Sequence, residues 1–279
     1  MTLHPKLKGI PHIYYINLDY EVERKKYMED QFKHWGIKKF TRVNASEFPR
    51  DDFNSWKHLV HQPDVIPSMF KRSLAVSMSH ITTIKTWLET TTDPYVILME
   101  DDTDMSLTEY WHFDWDYLMN NIPYDWDGIQ LMYNSGVKMY CFLHPKKMTS
   151  WNGPILINRR YAKKLLSLYF SSNKFCFMKK VNRGDGAFYF YNKKDSNYKN
   201  HRFSLIDVDE WLGFNGKIYQ LPLWSQNPYL DKIPRKHHIN SSKVHKFWWE
   251  KLKNEFTLED FFTYGKEYDN KMIFGIHCP

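Results

Sequence analysis

Residues 95–104 read Tyr-Val-Ile-Leu-Met-Glu-Asp-Asp-Thr-Asp, five apolar residues running without a break into a cluster of carboxylates. An unbroken apolar run after Asp93-Pro94 predicts a strand covered on both faces. Such strands belong to parallel sheets with helices on either side, so this one segment already points to an α/β chain. Ligands of open α/β sheets collect at the carboxyl ends of the strands. Side chains two apart on extended chain share a face, which points Glu100 and Asp102 the same way. Two hard oxygen ligands there suit Mg²⁺ or Mn²⁺ and, through it, a diphosphate. The same residues also suit an acidic turn that caps a helix, with Asp104 as an exposed cap residue. The residues alone leave both readings open.

The 279 residues suffice for one large α/β domain or two small ones. Aromatic residues make up 18% of the chain, which excludes a disordered protein; most of the rings must be core. The net charge of +7 favours anionic ligands without choosing among nucleotides, anionic glycans and nucleic acid. Cys141, Cys176 and Cys278 have no metal-ligand spacing and leave an odd one out. A reducing compartment is therefore expected rather than a disulfide framework. Met1 to Ile10 is short and polar, and no stretch is long and apolar enough to span a bilayer. These features lead to the expectation of a soluble, cytoplasmic protein, with peripheral membrane contact through basic residues left open.

Ile13 to Leu18 reads as a first strand. Glu21 to Trp35 reads as a helix with Tyr27, Gln31 and Trp35 stacked at four-residue spacing and Gly36 as a stop. A second strand is expected over 40–45, giving the opening of a nucleotide-binding α/β unit. No glycine-rich loop follows the first strand, which excludes a Rossmann dinucleotide fingerprint and a P-loop. Residues 50 to 70 read as irregular. A helix over 73–89 carries Leu74, Met78, Ile81, Ile84 and Leu88 on one side. Further strands are expected over 127–132, 154–157 and 218–221, and helices over 161–169 and 247–256. The simplest division is one domain over 10–235 with a basic, aromatic C-terminal segment over 236–279 packed on it.

Taken together, several of these segments resemble the glycosyltransferases of family 25, which include lipopolysaccharide and collagen hydroxylysine galactosyltransferases. They are Ile13 to Asp19 with Arg24 beyond; Ser79-His80; Val96 to Asp102; Asp125 to Leu131; Gly153 to Ile157 before Tyr161 to Leu166; an Asp185 segment; and Leu221 to Gln226. The likeness runs from about residue 12 to about 235, and the order and spacing of the segments carry it. Two departures stand out. Tyr20-Glu21-Val22-Glu23 replaces the arginines common after the first strand, and Lys193 to Phe203 and the tail beyond Arg235 match nothing in the family.

The resemblance implies a single GT-A-like domain with a mostly parallel central sheet flanked by helices. It implies an inverting hexosyltransferase, using a UDP-linked galactose or glucose donor and Mn²⁺ or Mg²⁺. The acceptor would be a glycan such as lipopolysaccharide, or a hydroxylated protein side chain. Glu100-Asp101-Asp102 would stand in for the Asp-x-Asp motif, with Glu100 and Asp102 on the metal and Asp101 at the donor. Asn17 and Asp19 would meet the nucleotide, against the alternative of an Asx turn. Arg24 would meet a phosphate, against an ion pair with Asp19 or Glu21. Ser79 and His80 would lie against the donor, against a packing role in the helix. Asp185, in Arg183-Gly184-Asp185-Gly186, would be the base that takes the acceptor proton. Asp125, Asp127 and Asp207 are the other candidates for that role. One of His237, His238 and His245 could complete the metal site.

Two further function classes compete. A protein acting on nucleic acid, including a glycosyltransferase for modified bases, suits the charge and the aromatic rings, but no DNA-recognition motif supports it. A silent sugar-binding module would have no use for the acidic triplet.

Overall fold

The computed structural model describes residues 2–61, 63–66, 71–132, 143–145, 153–176, 208–230 and 236–255, with Leu258 and Phe262. In chain order the strands are β1 Ile13–Asn17, β2 Phe40–Asn44, β3 Tyr95–Glu100, β4 Thr103–Asp104, β5 Gly128–Gln130 and β6 His144–Pro145. They continue with β7 Ile155–Asn158, β8 Phe170–Ser171, β9 Lys174–Phe175, β10 Ile218–Gln220 and β11 Ser225–Gln226. The helices are α1 Val22–Trp35, α2 Phe53–Trp56, α3 Lys71–Thr90, α4 Trp115–Asn121, α5 Arg159–Tyr169, α6 Val208–Phe214 and α7 Lys236–Glu255.

Seven strands form one sheet in the order β2-β1-β3-β7-β5-β10-β6. β2, β1 and β3 are parallel to one another, β7 runs against both β3 and β5, and β10 is parallel to β5 but antiparallel to β6. Five of the seven strands therefore point the same way, and the expected mostly parallel α/β sheet is what the chain forms.

The apolar run in β3 behaves as its composition requires. Val96 and Leu98 join a core with α3, α5 and α6, built on Leu74, Ile84, Leu165 and Trp211. Ile97 and Met99 join a second core on the other face, with Met28 and Phe32 of α1 and Trp115 of α4. Alternate residues of one strand thus serve opposite faces, and only a strand with both faces covered tolerates four buried apolar residues in a row.

α1 differs in detail from its sequence pattern. Its buried stripe is Met28, Phe32 and Trp35, whereas Gln31 spends its amide on the turn after β3. Gln31 Nε2 donates to the Thr103 carbonyl at 2.9 Å and its Oε1 accepts from Met105 N–H at 2.8 Å. The helix expected over 247–256 is the second half of α7, which starts at Lys236. Buried His245 and Trp249, four residues apart, mark its inner face, and Trp249 Nε1 donates to the Pro222 carbonyl at 2.9 Å. No helix among the described residues is long and apolar enough to cross a membrane.

Candidate active site

β1 and β3 are parallel neighbours, so both deliver their carboxyl ends to the same edge of the sheet. The acidic triplet leaves β3 there, beside Asn17. The turn is held in place on two sides. Gln31 grips it from α1, and the short β4–β11 ladder pairs Thr103 with Gln226. That register carries the Gln226 side chain to Asp102, where its Nε2 donates to Oδ2 at 2.7 Å. The Asn227 backbone N–H donates to the Asp102 carbonyl at 2.7 Å. Asp104 turns away, accepting from the Ser106 N–H at 2.8 Å at the start of a short 3₁₀ turn.

Each member of the triplet has a different partner. Glu100 lies 3.5 Å from Nε2 of His80, a buried α3 residue. Asp101 accepts from Asn17 Nδ2 at 2.7 Å and from Arg24 Nη1 at 3.0 Å. Arg24 Nη1 also lies 3.7 Å from Asp102 Oδ2. The alternative expected for Arg24 was an ion pair with Asp19 or Glu21. Its short contact is instead to Asp101, with Glu21 at 4.0 Å.

Asp19 is paired by Arg42, whose Nη2 donates to it at 2.6 Å, while Asn44 Nδ2 donates at 2.7 Å. Asn17 is 2% exposed and its amide is committed inside the protein. Nδ2 donates to Asp101 and, at 3.1 Å, to the Glu21 carbonyl, and Oδ1 accepts from Arg42 Nε at 2.8 Å. A continuous network therefore ties the ends of β1, β2 and β3 together. A cavity of about 130 Å³ opens beside it, lined by Asn17, Arg24, Arg50, Ser79, Glu100 and Asp101 among others.

The electrostatics separate the three acids. Burial would push Glu100 up, but His80, Arg50 and Arg24 outweigh it and hold Glu100 below the ordinary carboxylate range. Asp101 is raised, since burial outweighs its bonds to Asn17 and Arg24. Asp102 is pushed up to about 7, first by burial and then by the charges of Glu100 and Asp101. At Asp19 the Arg42 hydrogen bond leads a set of contacts that lower the carboxyl.

Among the described residues, no three His, Cys, Asp or Glu side chains are grouped so as to hold a metal ion by themselves. Mg²⁺ is commonly held by one or two carboxylates, with water and phosphate oxygens completing the shell. The acidic triplet fits that pattern. Burial and then the charges of Glu100 and Asp101 raise the Asp102 carboxyl to about 7, and a divalent cation would offset the part due to charge.

The structure brings Asn17, Arg24, Ser79, His80, Glu100, Asp101 and Asp102 to one region, with Asp19 on its outer rim. Asp185 and Asp207 lie outside the described residues, as do the side chains of His237 and His238. Asp125 and Asp127 precede β5 and sit at the amino ends of the strands, paired with Lys217 and Arg160. They are far from the triplet by topology, which removes them as stand-ins for Asp185. Three site residues were not singled out from the sequence. Gln226 lay in a quoted segment without a role. Arg42 and Arg50 carried no local signal, because their partners are set by the sheet.

A mostly parallel sheet of this kind, flanked by helices, defines an α/β protein. The chain belongs to glycosyltransferase family 25 (LPS biosynthesis protein), whose model matches residues 10–194. No curated protein sequence matches it. Among solved structures, the crystal structure of A197 from STIV is similar over 77% of this chain and 84% of that one, at 9% identity and a TM-score of 0.34. A likeness that distant carries no argument.

Proposed function

We propose that this glycosyltransferase moves a hexose, galactose or glucose, from a UDP-linked donor to a glycan or a hydroxylated protein side chain. The transfer inverts the anomeric centre, depends on Mn²⁺ or Mg²⁺ and takes place in the cytoplasm. One observation carries the reading: the Glu100-Asp101-Asp102 turn sits at the carboxyl edge of the sheet, beside a cavity that Arg24 and Arg50 also line. A cation held by Glu100 and Asp102 would neutralise the diphosphate leaving group as a Lewis acid.

The chain's own residues then have distinct tasks. Asn17 and Arg24 fix the Asp101 carboxylate and so the shape of the turn. Gln226 holds one oxygen of Asp102 and orients the other. His80 orients Glu100 from behind. Asp19 stands more exposed and would meet the nucleotide from the rim, held there by Arg42 and Asn44. The acceptor hydroxyl oxygen attacks the anomeric carbon, the bond to the diphosphate oxygen breaks, and Asp185 takes the hydroxyl proton.

The test is donor hydrolysis. Purified protein with Mn²⁺ should slowly release UDP from one member of a panel of UDP-sugars, read by nucleotide detection. No release, together with no calorimetric binding of any nucleotide sugar, would sink the proposal.

A further inference from the structure

We propose that Arg50 binds the diphosphate of the donor, as a cation lining the same cavity as the acidic turn. The inference rests on the nucleotide-sugar reading above and names the residue that meets the leaving group. Among the described residues, three arginines stand near the strand ends, and two are already engaged. Arg24 is bound to Asp101 and close to Asp102. Arg42 is bound to Asp19 and Asn17. Arg50 lines the cavity together with Glu100 and is exposed, yet it takes part in no ion pair among the described residues. Its neighbour Asp51 is turned to Arg72, at 2.8 Å.

Arg50 is also well supported. It follows Phe48 and Pro49 on a turn anchored in the core beneath α3. The Pro49 carbonyl accepts from Trp56 Nε1 at 3.1 Å, and Phe48 packs edge-on against Trp56 with ring centroids 5.7 Å apart. Both rings are buried. The backbone below the guanidinium is therefore held in place while the side chain lines the cavity. Its field already reaches Glu100 across that space. A cation and carboxylates lining one cavity suit a group with several anionic oxygens. A diphosphate is such a group when a divalent cation bridges it to the acids. The planar fork of Arg matches phosphate oxygens in pairs, which a lysine ammonium does not.

The experiment compares wild type with Arg50→Gln and Arg50→Lys, by calorimetry with UDP, uridine and inorganic pyrophosphate in the presence of Mn²⁺. Loss of one charge-assisted phosphate contact should weaken UDP binding by about tenfold to a hundredfold in Arg50→Gln. Arg50→Lys should fall between the two, and uridine binding should not change. The melting temperature should stay at the wild-type value, because Arg50 is exposed and makes no ion pair among the described residues. If Arg50→Gln binds UDP and pyrophosphate as wild type does, the Arg50 proposal is overturned and the donor reading stands. If wild type binds pyrophosphate but no nucleotide, and Arg50→Gln loses the pyrophosphate, the anion site stands and the donor reading falls. If wild type binds none of the three, both fall.

Discussion

At the scale of single residues, the site is defined by who holds whom. Asn17 is the plainest case. The sequence offered it to a nucleotide, but both of its amide hydrogens and its oxygen are used to join Asp101, Glu21 and Arg42. It positions the acid turn and has little left for a ligand. Asp102 is the opposite case, a buried carboxylate with a supporting amide but too much negative charge around it. Its folded-state pKa of about 7 exceeds the ordinary 3.8. The folded protein thus holds a proton that the unfolded chain releases, and stability falls as pH rises from about 4 to about 7. Asp102→Asn keeps the shape and an oxygen for Gln226, and it does not titrate. In chelator-treated protein the variant should therefore gain stability over wild type across that window and keep the gain above it. Thermal melts at pH 4, 5.5, 7 and 8 read this directly. Parallel pH profiles would show that Asp102 is not strained by its neighbours. The same variant should lose metal-dependent donor turnover.

At the scale of elements, local pattern and long-range pairing part company. The apolar run of β3, the stripe of α3 and the Gly36 stop were legible, because each is a statement about neighbours in sequence, whereas the α1 stripe was read through Tyr27 and Gln31 and the buried residues are Met28 and Phe32. The place of β7 was not legible. Ile155 to Ile157 look like any buried strand, and nothing in them says that the strand inserts antiparallel between β3 and β5. Gln226 was hidden for the same reason, since it reaches Asp102 across 124 positions. Gly36 shows how an ordinary element boundary serves the site. It ends α1 at φ +70°, with the Ile37 N–H donating to the Phe32 carbonyl at 2.8 Å. α1 in turn carries Arg24 and Gln31 to the acidic turn. A methyl group at Gly36 would meet both a left-handed backbone and the Thr2 carbonyl. Gly36→Ala should cost about 2 kcal/mol in urea unfolding. Unchanged stability would mean that the N-terminal segment shifts aside freely.

At the scale of the whole molecule, two cores clamp one sheet and leave its carboxyl edge open at β1 and β3. The +7 charge of the chain favours anionic partners but does not select one, and so composition alone left nucleic acid in contention. Family membership narrows the reading to a glycosyltransferase, and the donor proposed for it carries a diphosphate. A ligand that binds only the folded state must raise its stability. At a hundred times the dissociation constant the gain is about 2.7 kcal/mol. For a chain of this size that corresponds to roughly 5 °C in melting temperature. Mn²⁺ with UDP should produce a shift of this order in wild type. Asp185→Asn should show the same shift, because a base that meets the acceptor makes no contact with the diphosphate. Its transfer rate should nonetheless fall by a factor on the order of 10²–10⁴, the usual contribution of a positioned base. Donor hydrolysis should fall less, since water can lose its proton to solvent. Asp102→Asn should lose the shift itself. The pair of variants therefore separates two kinds of carboxylate with one melting experiment and one rate. Near-wild-type transfer in Asp185→Asn would remove that residue from the mechanism. Asp125 and Asp127 could not replace it, since their ion pairs with Lys217 and Arg160 hold them at the opposite edge of the sheet.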